Sequence, residues 1–368
     1  MRRLPMSRLR PGMTLTKGVF SYAANSLLAS GVVIDDDLID LLQEAGLPAV
    51  IVEDDRLQNL VANELISDKT LMFANRAVRD VYRQARSGTV LDINKLRRVA
   101  FMLVDEVNLV PVAEQIYASQ SNRTFNEYLH EHLVQVAILA ICVGRQRSYT
   151  WQKLNELALA ALLMDIGQMV ILQSAFEKEE RLSSAELDEL KRHCLLGFYM
   201  TREYVDVSLE TAAGILHHSE RSDGSGYPQG LKEDQIHEYG RILAVCDSYD
   251  SLVTEKRYRR RYLPYQTLSI LQAGIRQIYD FQVVQDFAMF VTPYPLGSIV
   301  ELSTGDIAAV VGISRENILR PNVRLLMDRQ RNLIDSIMEI NLLDMPQIQI
   351  AKNLEDNSYP VMWHSLLY

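Results

Sequence analysis

The spacing of apolar positions changes twice along this chain. From Met1 to about Asp54 they come in short runs, LRPGMTLTKGVF, SLLASGVVI and PAVIVED, separated by glycine, proline and other turn formers. Runs of that length bounded by turn residues predict β-strands. Between the last two, DDDLIDLLQEAG has acids at its start and Gly46 at its end, the charge order of one short helix. Residues 1–54 therefore read as a small α/β module. Over 55–121 the apolar spacing becomes helical, in VRDVYRQAR and INKLRRVAFMLVDEVNLV, and this region reads as a helical connector that ends near the polar break SQSNRTFN.

From 122 to 292 nearly everything is helical: NEYLHEHLVQVAILAICVG, LNELALAALLM, SSAELDELKRHCLLGFYM, SLETAAGILHH, GRILAVCDSYDSLV and YQTLSILQAGIRQIY. Ser183 with Glu186 three positions later predicts a capping box at the start of the third segment. Residues 293–368 change character again, since GSIVELSTGDIAAVVGI and NVRLLMD read as strands of a terminal β-containing extension. The fold class is mainly α, with a helical domain between two small β-containing parts.

Composition narrows the classes of function. The 368 residues are 48% hydrophobic and 23% charged with a net charge of −9, which argues against a binder of nucleic-acid polymers, whose basic face must displace counterions. No window approaches the roughly 20 apolar residues of a membrane span, and the expected location is the cytoplasm. Cys142, Cys194 and Cys246 are widely spaced and form no CxxC pair, so they read as reduced, buried small hydrophobes.

Histidine carries the chemistry. Five of the seven histidines fall between 130 and 218: His130, His132, His193, His217 and His218. Asp165 follows the apolar run LALAALLM and Asp247 lies inside RILAVCDSYDSL, and buried carboxylates are costly unless paired or bound to metal. Each residue alone has a bland reading, a satisfied core histidine or a helix cap. The set points to a metal site, because imidazoles and carboxylates are the usual ligands of Mn, Fe and Zn. His130 and His132 diverge by roughly 200° on a helix, so only one faces such a site.

The order His132, Asp165-Ile166-Gly167, His193 with Gly197, HHSERSDGSGYPQGL, RILAVCDSYDSL and KRYR resembles the HD-GYP family of bacterial cyclic-di-GMP phosphodiesterases, over roughly Phe125 to Phe290. The resemblance implies an all-helical HD-superfamily domain in which metal ions, commonly iron or manganese, activate water to cleave cyclic-di-GMP to pGpG or GMP. Carried over by position, it implies His132, Asp165, His193, His217, His218 and Asp247 as ligands, and favours His132 over His130. It implies phosphate contacts from Arg257 and Arg259, for which a solvated helix end is an equal alternative. It associates the loop with Asp223, Gly224, Gly226, Tyr227 and Pro228 with docking to GGDEF-type domains; a rigid turn is the plainer reading. The N-terminal module leaves room for a sensory, dimerising or docking role, so a homodimer is one expectation.

The chain departs from the family pattern at three places. The motif His-Asp-x-Gly-Lys stands here as Met164-Asp165-Ile166-Gly167-Gln168. Met164 offers only a soft thioether, and Gln168 lacks the charge of the lysine. HHE-x-x-DG becomes HHSERSDG, one residue longer. Anchored on the helix, His217 and His218 stay ligands and Ser219 is an insertion, the favoured register; anchored on the glycine loop, His218 comes first and Ser219 replaces the second histidine. The expectation is a site with one ion or reduced occupancy and weak or absent hydrolysis, retaining ligand or partner binding. The alternative is an active phosphodiesterase with an altered metal site.

Overall fold

The computed structural model describes residues 2–6, 9–16, 18–20, 26–44, 49–53, 65–112, 128–171, 183–254, 261–314, 316–334 and 336–354. In the N-terminal module β1 (Arg2–Pro5) pairs antiparallel with β4 (Ala49–Val52), and β2 (Val19–Phe20) with β3 (Ser26–Leu28). Helix α1 (Asp36–Glu44) lies between β3 and β4 in the chain, as the acids of DDDLIDLLQEAG predict. Its first turn is closed by Asp35, whose Oδ1 accepts from the Leu38 backbone N–H at 2.9 Å. Leu4, Leu15, Val19, Ile34, Leu42, Val50 and Val52 bury a core of their own.

The helical part is built around α5 (Trp151–Leu163). Its run from Leu157 to Leu163 is buried at every position, the signature of a helix enclosed on all sides. Helices α2 (Asp68–Ser87), α3 (Ile93–Leu109), α4 (Tyr128–Gln146) and α8 (Leu209–His217) pack against it or against each other. Val78, Val81, Leu96 and Leu103 thus share one core with Leu133, Leu157 and Met164. The helices read as a connector from local spacing are part of the central core. Starts are capped where polar side chains allow it: Ser67, Asp92, Thr150, Ser208 and Asp280 each accept from a backbone N–H of the first turn. Ser183 and Glu186 form the predicted capping box at α6 (Ser184–Lys191). Helices α7 (His193–Thr201), α9 (Glu238–Val253), α10 (Pro264–Ala273) and α11 (Phe281–Ala288) complete the part.

The C-terminal residues form an antiparallel sheet in the order β8-β7-β6-β5-β9. Strands β5 (Ile299–Leu302), β6 (Ile307–Gly312) and β7 (Asn322–Met327) match the sequence expectation; β8 (Glu339–Asn341) and β9 (Ile350–Asn353) are short and were not legible. Alternate residues fill two separate clusters, Ile299, Ile307 and Ala309 in one, Val300, Ala308 and Val310 in the other.

One backbone crossing positions the site. After α5 the chain turns through Met164 and Asp165 into a 3₁₀ segment (Ile166–Val170) that lies directly on α7. A Cβ on Gly167 would fall within the contact distance of the His193 carbonyl oxygen and 2.6 Å from the Gly197 nitrogen. Only glycine lets these backbones meet, and their meeting puts Asp165 beside His193. Gly197 is less constrained, since its Cβ would stand 3.3 Å from an Ile215 methyl and 3.4 Å from the Gly167 nitrogen. Gly167→Ala is therefore expected to destabilise the chain by about 1–3 kcal/mol in denaturant unfolding, and Gly197→Ala by less. Equal, negligible losses would contradict this crossing.

Candidate metal centre

Two buried histidines begin the site. His193 opens α7 and its Nδ1 lies 2.7 Å from the Leu190 carbonyl oxygen; His218 follows α8 and its Nδ1 lies 2.8 Å from that of Ile215. A carbonyl oxygen only accepts, so each Nδ1 carries a proton and each Nε2 is turned into the site. The two Nε2 atoms face each other at 3.1 Å. The same Asp165 Oδ1 lies 3.3 Å from the Nε2 of His193 and 3.7 Å from that of His218. On the other side of the pair, the Cys194 Sγ is 3.4 Å from the first nitrogen and 3.8 Å from the second. Burial, followed by the neighbouring His193, lowers the His218 pKa to about 4, so the ring stays neutral. Among the described residues, His193, Cys194 and His218 form the group of donors close enough to share one ion.

A second set lies alongside. His132 is held at both ring nitrogens, Nε2 3.1 Å from Asp247 Oδ1 and Nδ1 2.8 Å from Asp250 Oδ2. Burial alone would lower its pKa, but the bonds to the two carboxylates outweigh burial and raise it to about 9. Burial likewise opposes ionisation of Asp247, yet His132 holds that carboxyl down at about 2. These three residues form an imidazolium between two carboxylates, a donor matched to its acceptors. Asp247 keeps 27% of its side chain exposed, so solvent reaches the site from this side. His130 points elsewhere: its ring is edge-on to Tyr82, and burial, then Arg79 and Arg83, lower its pKa to about 4.

The residues of the opening motif take distinct places. The side chain of Met164 is fully buried in the apolar core. Asp165 is nearly buried, and Gln168 donates its amide to Asp165 Oδ1 at 2.6 Å. The glutamine is folded onto the carboxylate. Tyr82 braces the turn from α2, donating to the Leu162 carbonyl at 3.2 Å; burial, then the charge of Asp165, push its phenol well above the usual value.

The loop after α8 corrects the favoured register. His217 Nδ1 accepts from the backbone N–H of His237 at 3.0 Å, and the His217 side chain packs under Gly240 on α9. It is not brought together with Asp165, His193 and His218. Glu220 supplies the physical reason. It is 1% exposed, and its two carboxylate oxygens accept from the backbone N–H groups of Gln229 at 2.7 Å and Leu231 at 3.0 Å. This buried acid pins the loop and therefore takes the glutamate position of the pattern HHE-x-x-DG. His218 then stands first, and Ser219 occupies the place of the second histidine.

The rest of the loop folds around that anchor. A Cβ on Gly226 would fall 2.5 Å from the Glu220 Cα, so glycine is required there. Gly224 has a φ of +83°. Asp223 is exposed and accepts from the Ser225 N–H at 2.8 Å, a turn bond away from the histidines. Tyr227, followed by Pro228, turns inward and sets its ring edge-on to His193 at 6.0 Å. Burial raises the Tyr227 phenol to about 12, and the neighbouring Ser219 acts against that rise. Arg257 and Arg259 lie outside the described residues.

Sequence reasoning missed Cys194, Asp250, Ser219 and Glu220 as site residues. Asp250 had a signal, because a carboxylate three positions after Asp247 on a helix faces the same way.

The site is thus a helical cage of imidazole, carboxylate and thiol donors. Residues 111–283 match the family described as HD domain, and residues 299–361 that described as KOW domain associated with HD domain. The chain is 31% identical over 254 residues to the cyclic di-GMP phosphodiesterase PA4108 of Pseudomonas aeruginosa, covering 68% of this chain and 60% of that one. It is 26% identical over 234 residues to the cyclic di-GMP phosphodiesterase PdeB of Borreliella burgdorferi, covering 60% of this chain and 62% of the relative. The chain thus spans about three fifths of the length of these curated relatives. Among solved structures it aligns with Bd1817, an HDG"Y"P protein of Bdellovibrio bacteriovorus, at 15% identity and a TM-score of 0.47, over 77% of this chain and 97% of that one. That likeness is too weak to carry an argument. With the sequence matches and the motif order together, the chain belongs to the HD-GYP family of HD domains. No helix among the described residues is long and apolar enough to cross a membrane.

The geometry separates two adjacent histidines by what they do. His218→Ala is expected to reduce the metal retained per chain severalfold, measured by elemental analysis of purified protein, whereas His217→Ala retains it. The reverse outcome would restore the helix-anchored register.

Proposed function

We propose that this chain is a member of bacterial cyclic-di-GMP signalling that binds the dinucleotide, or its product pGpG, on an HD-GYP scaffold whose hydrolysis is weak or absent. The observation that carries this reading is Met164, fully buried in the apolar core where the family motif has a histidine. With it, the imidazole that would complete a second ion site is replaced by a thioether, a poor partner for hard cations. Ser219 deepens the loss by standing in for another imidazole. The Gln168 amide, turned toward Asp165, supplies no cationic charge to a phosphate.

What remains fits one ion better than two. His193 and His218 offer ring nitrogens, Asp165 offers an oxygen, and all are buried. An ion held there supplies positive charge beside a phosphodiester and lowers the pKa of water. The chain's own residues orient that site: Gln168 steadies Asp165, and Tyr227 walls the His193 side. The His132, Asp247 and Asp250 set is satisfied internally, which supports reduced occupancy there. The exposed turn at Asp223 and Ser225 leaves a surface for a partner domain, of the GGDEF kind that the family resemblance implies.

The test compares two proteins under one condition. With manganese or ferrous iron, the natural chain is expected to bind cyclic-di-GMP in equilibrium dialysis yet to hydrolyse it at least about 100-fold more slowly than the Pseudomonas relative, the order expected for a lost electrostatic donor. Comparable turnover would instead establish an active phosphodiesterase with an altered metal site.

A further inference from the structure

The three cysteines do not share one environment. Cys142 and Cys246 lie in the large apolar core among leucines, valines and alanines, where a thiol behaves as a small hydrophobe. Cys194 is as buried but lies outside that cluster, with its sulfur against two imidazole nitrogens. Those nitrogens set the chemistry. Because each Nδ1 donates to a carbonyl, the two Nε2 atoms turn to one place, 3.1 Å apart, where Asp165 Oδ1 joins them. Donor atoms converged this closely share a proton or surround a cation.

We infer that Cys194 is a metal ligand, binding as a thiolate with His193 and His218, and that this site prefers a thiophilic ion such as Zn²⁺ over the iron or manganese expected from the family resemblance. The inference deepens the site of the proposed function and rests on its reading as a single-ion centre. The separations among His193, Cys194 and His218 run from 3.1 to 3.8 Å. Metal–nitrogen bonds of about 2.0–2.1 Å and metal–sulfur bonds of about 2.3 Å imply ligand edges of roughly 3.3–3.6 Å on a tetrahedron. The observed triangle has that size. Asp165 Oδ1 flanks the same histidine edge, 3.3 Å from the His193 Nε2 and 3.7 Å from that of His218. On binding, the Cys194 S–H bond breaks, its proton leaves to solvent, and the sulfur lone pair forms the bond to the ion without any change of oxidation state.

The surrounding substitutions agree with this assignment. Ser219, where the glycine-loop register of the family pattern has an imidazole, is a small buried side chain that acts against the rise burial imposes on the Cys194 thiol. Soft sulfur and neutral nitrogen select differently from the all-nitrogen-and-oxygen set that suits iron and manganese.

Cobalt(II) reports sulfur ligation directly. Chelator-stripped full-length chain titrated with Co²⁺ is expected to show a thiolate-to-metal charge-transfer band in the near ultraviolet beside intense tetrahedral visible bands. Cys194→Ser should abolish the charge-transfer band and weaken Zn²⁺ binding by at least roughly 10–100-fold, the range seen for lesser changes around a metal. Cys142→Ser, altering the thiol in the apolar core, should leave both unchanged. Visible cobalt bands with no charge transfer in the natural chain, or no cobalt binding, would overturn the assignment whatever the variants do. Fast cyclic-di-GMP hydrolysis alongside the band would instead reject the silent reading and leave Cys194 a ligand.

Discussion

Two imidazole Nε2 atoms held face to face, with a carboxylate at their side, are the constraint around which this domain is arranged. Three donor atoms converge there, with the Gln168 amide and the Cys194 thiol beside them. The fold maintains it because each part is fixed from behind. The Nδ1 bonds to Leu190 and Ile215 fix both rings, and the glycine crossing at Gly167 fixes Asp165 against α7. Glu220 holds the loop that carries Ser219 and Tyr227. A donor cluster preorganised in this way would couple metal affinity to folding.

The adjacent His132 set behaves in the opposite way. Asp247 and Asp250 bracket the ring, and the protonated imidazole satisfies both. Nothing in that arrangement demands an ion. The contrast assigns different consequences to two neighbouring losses. With methionine at 164 the apolar core extends to the foot of Asp165, and with serine at 219 the remaining imidazoles are left facing a thiol.

Much of this was legible in the chain before folding. The helical segments, the capping box at Ser183, and the burial of Asp165 and His193 follow from local spacing and from residue types that are expensive to bury. The family resemblance favours His132 over His130, and in the fold His130 turns to Tyr82 and His132 to two carboxylates. The register at His217 was not legible for a different reason. An extra residue in HHSERSDG is equally compatible with a lengthened loop or a shifted ligand, and only the burial of Glu220 decides. Cys194 reads as a small hydrophobe in the sequence because the three cysteines are widely spaced and form no CxxC pair. Its place at the first turn of α7, against the end of α8, brings both side chains onto one site. Helices α2 and α3 joined the central core through contacts distant in sequence, which spacing alone does not register.

The account is tested most directly by anomalous diffraction from crystals of the zinc-loaded chain, with data on both sides of the zinc edge. It predicts a single strong peak enclosed by His193, Cys194 and His218, with Asp165 alongside and none between His132 and Asp247. Two peaks, one of them bound by His132 and Asp247, would contradict it.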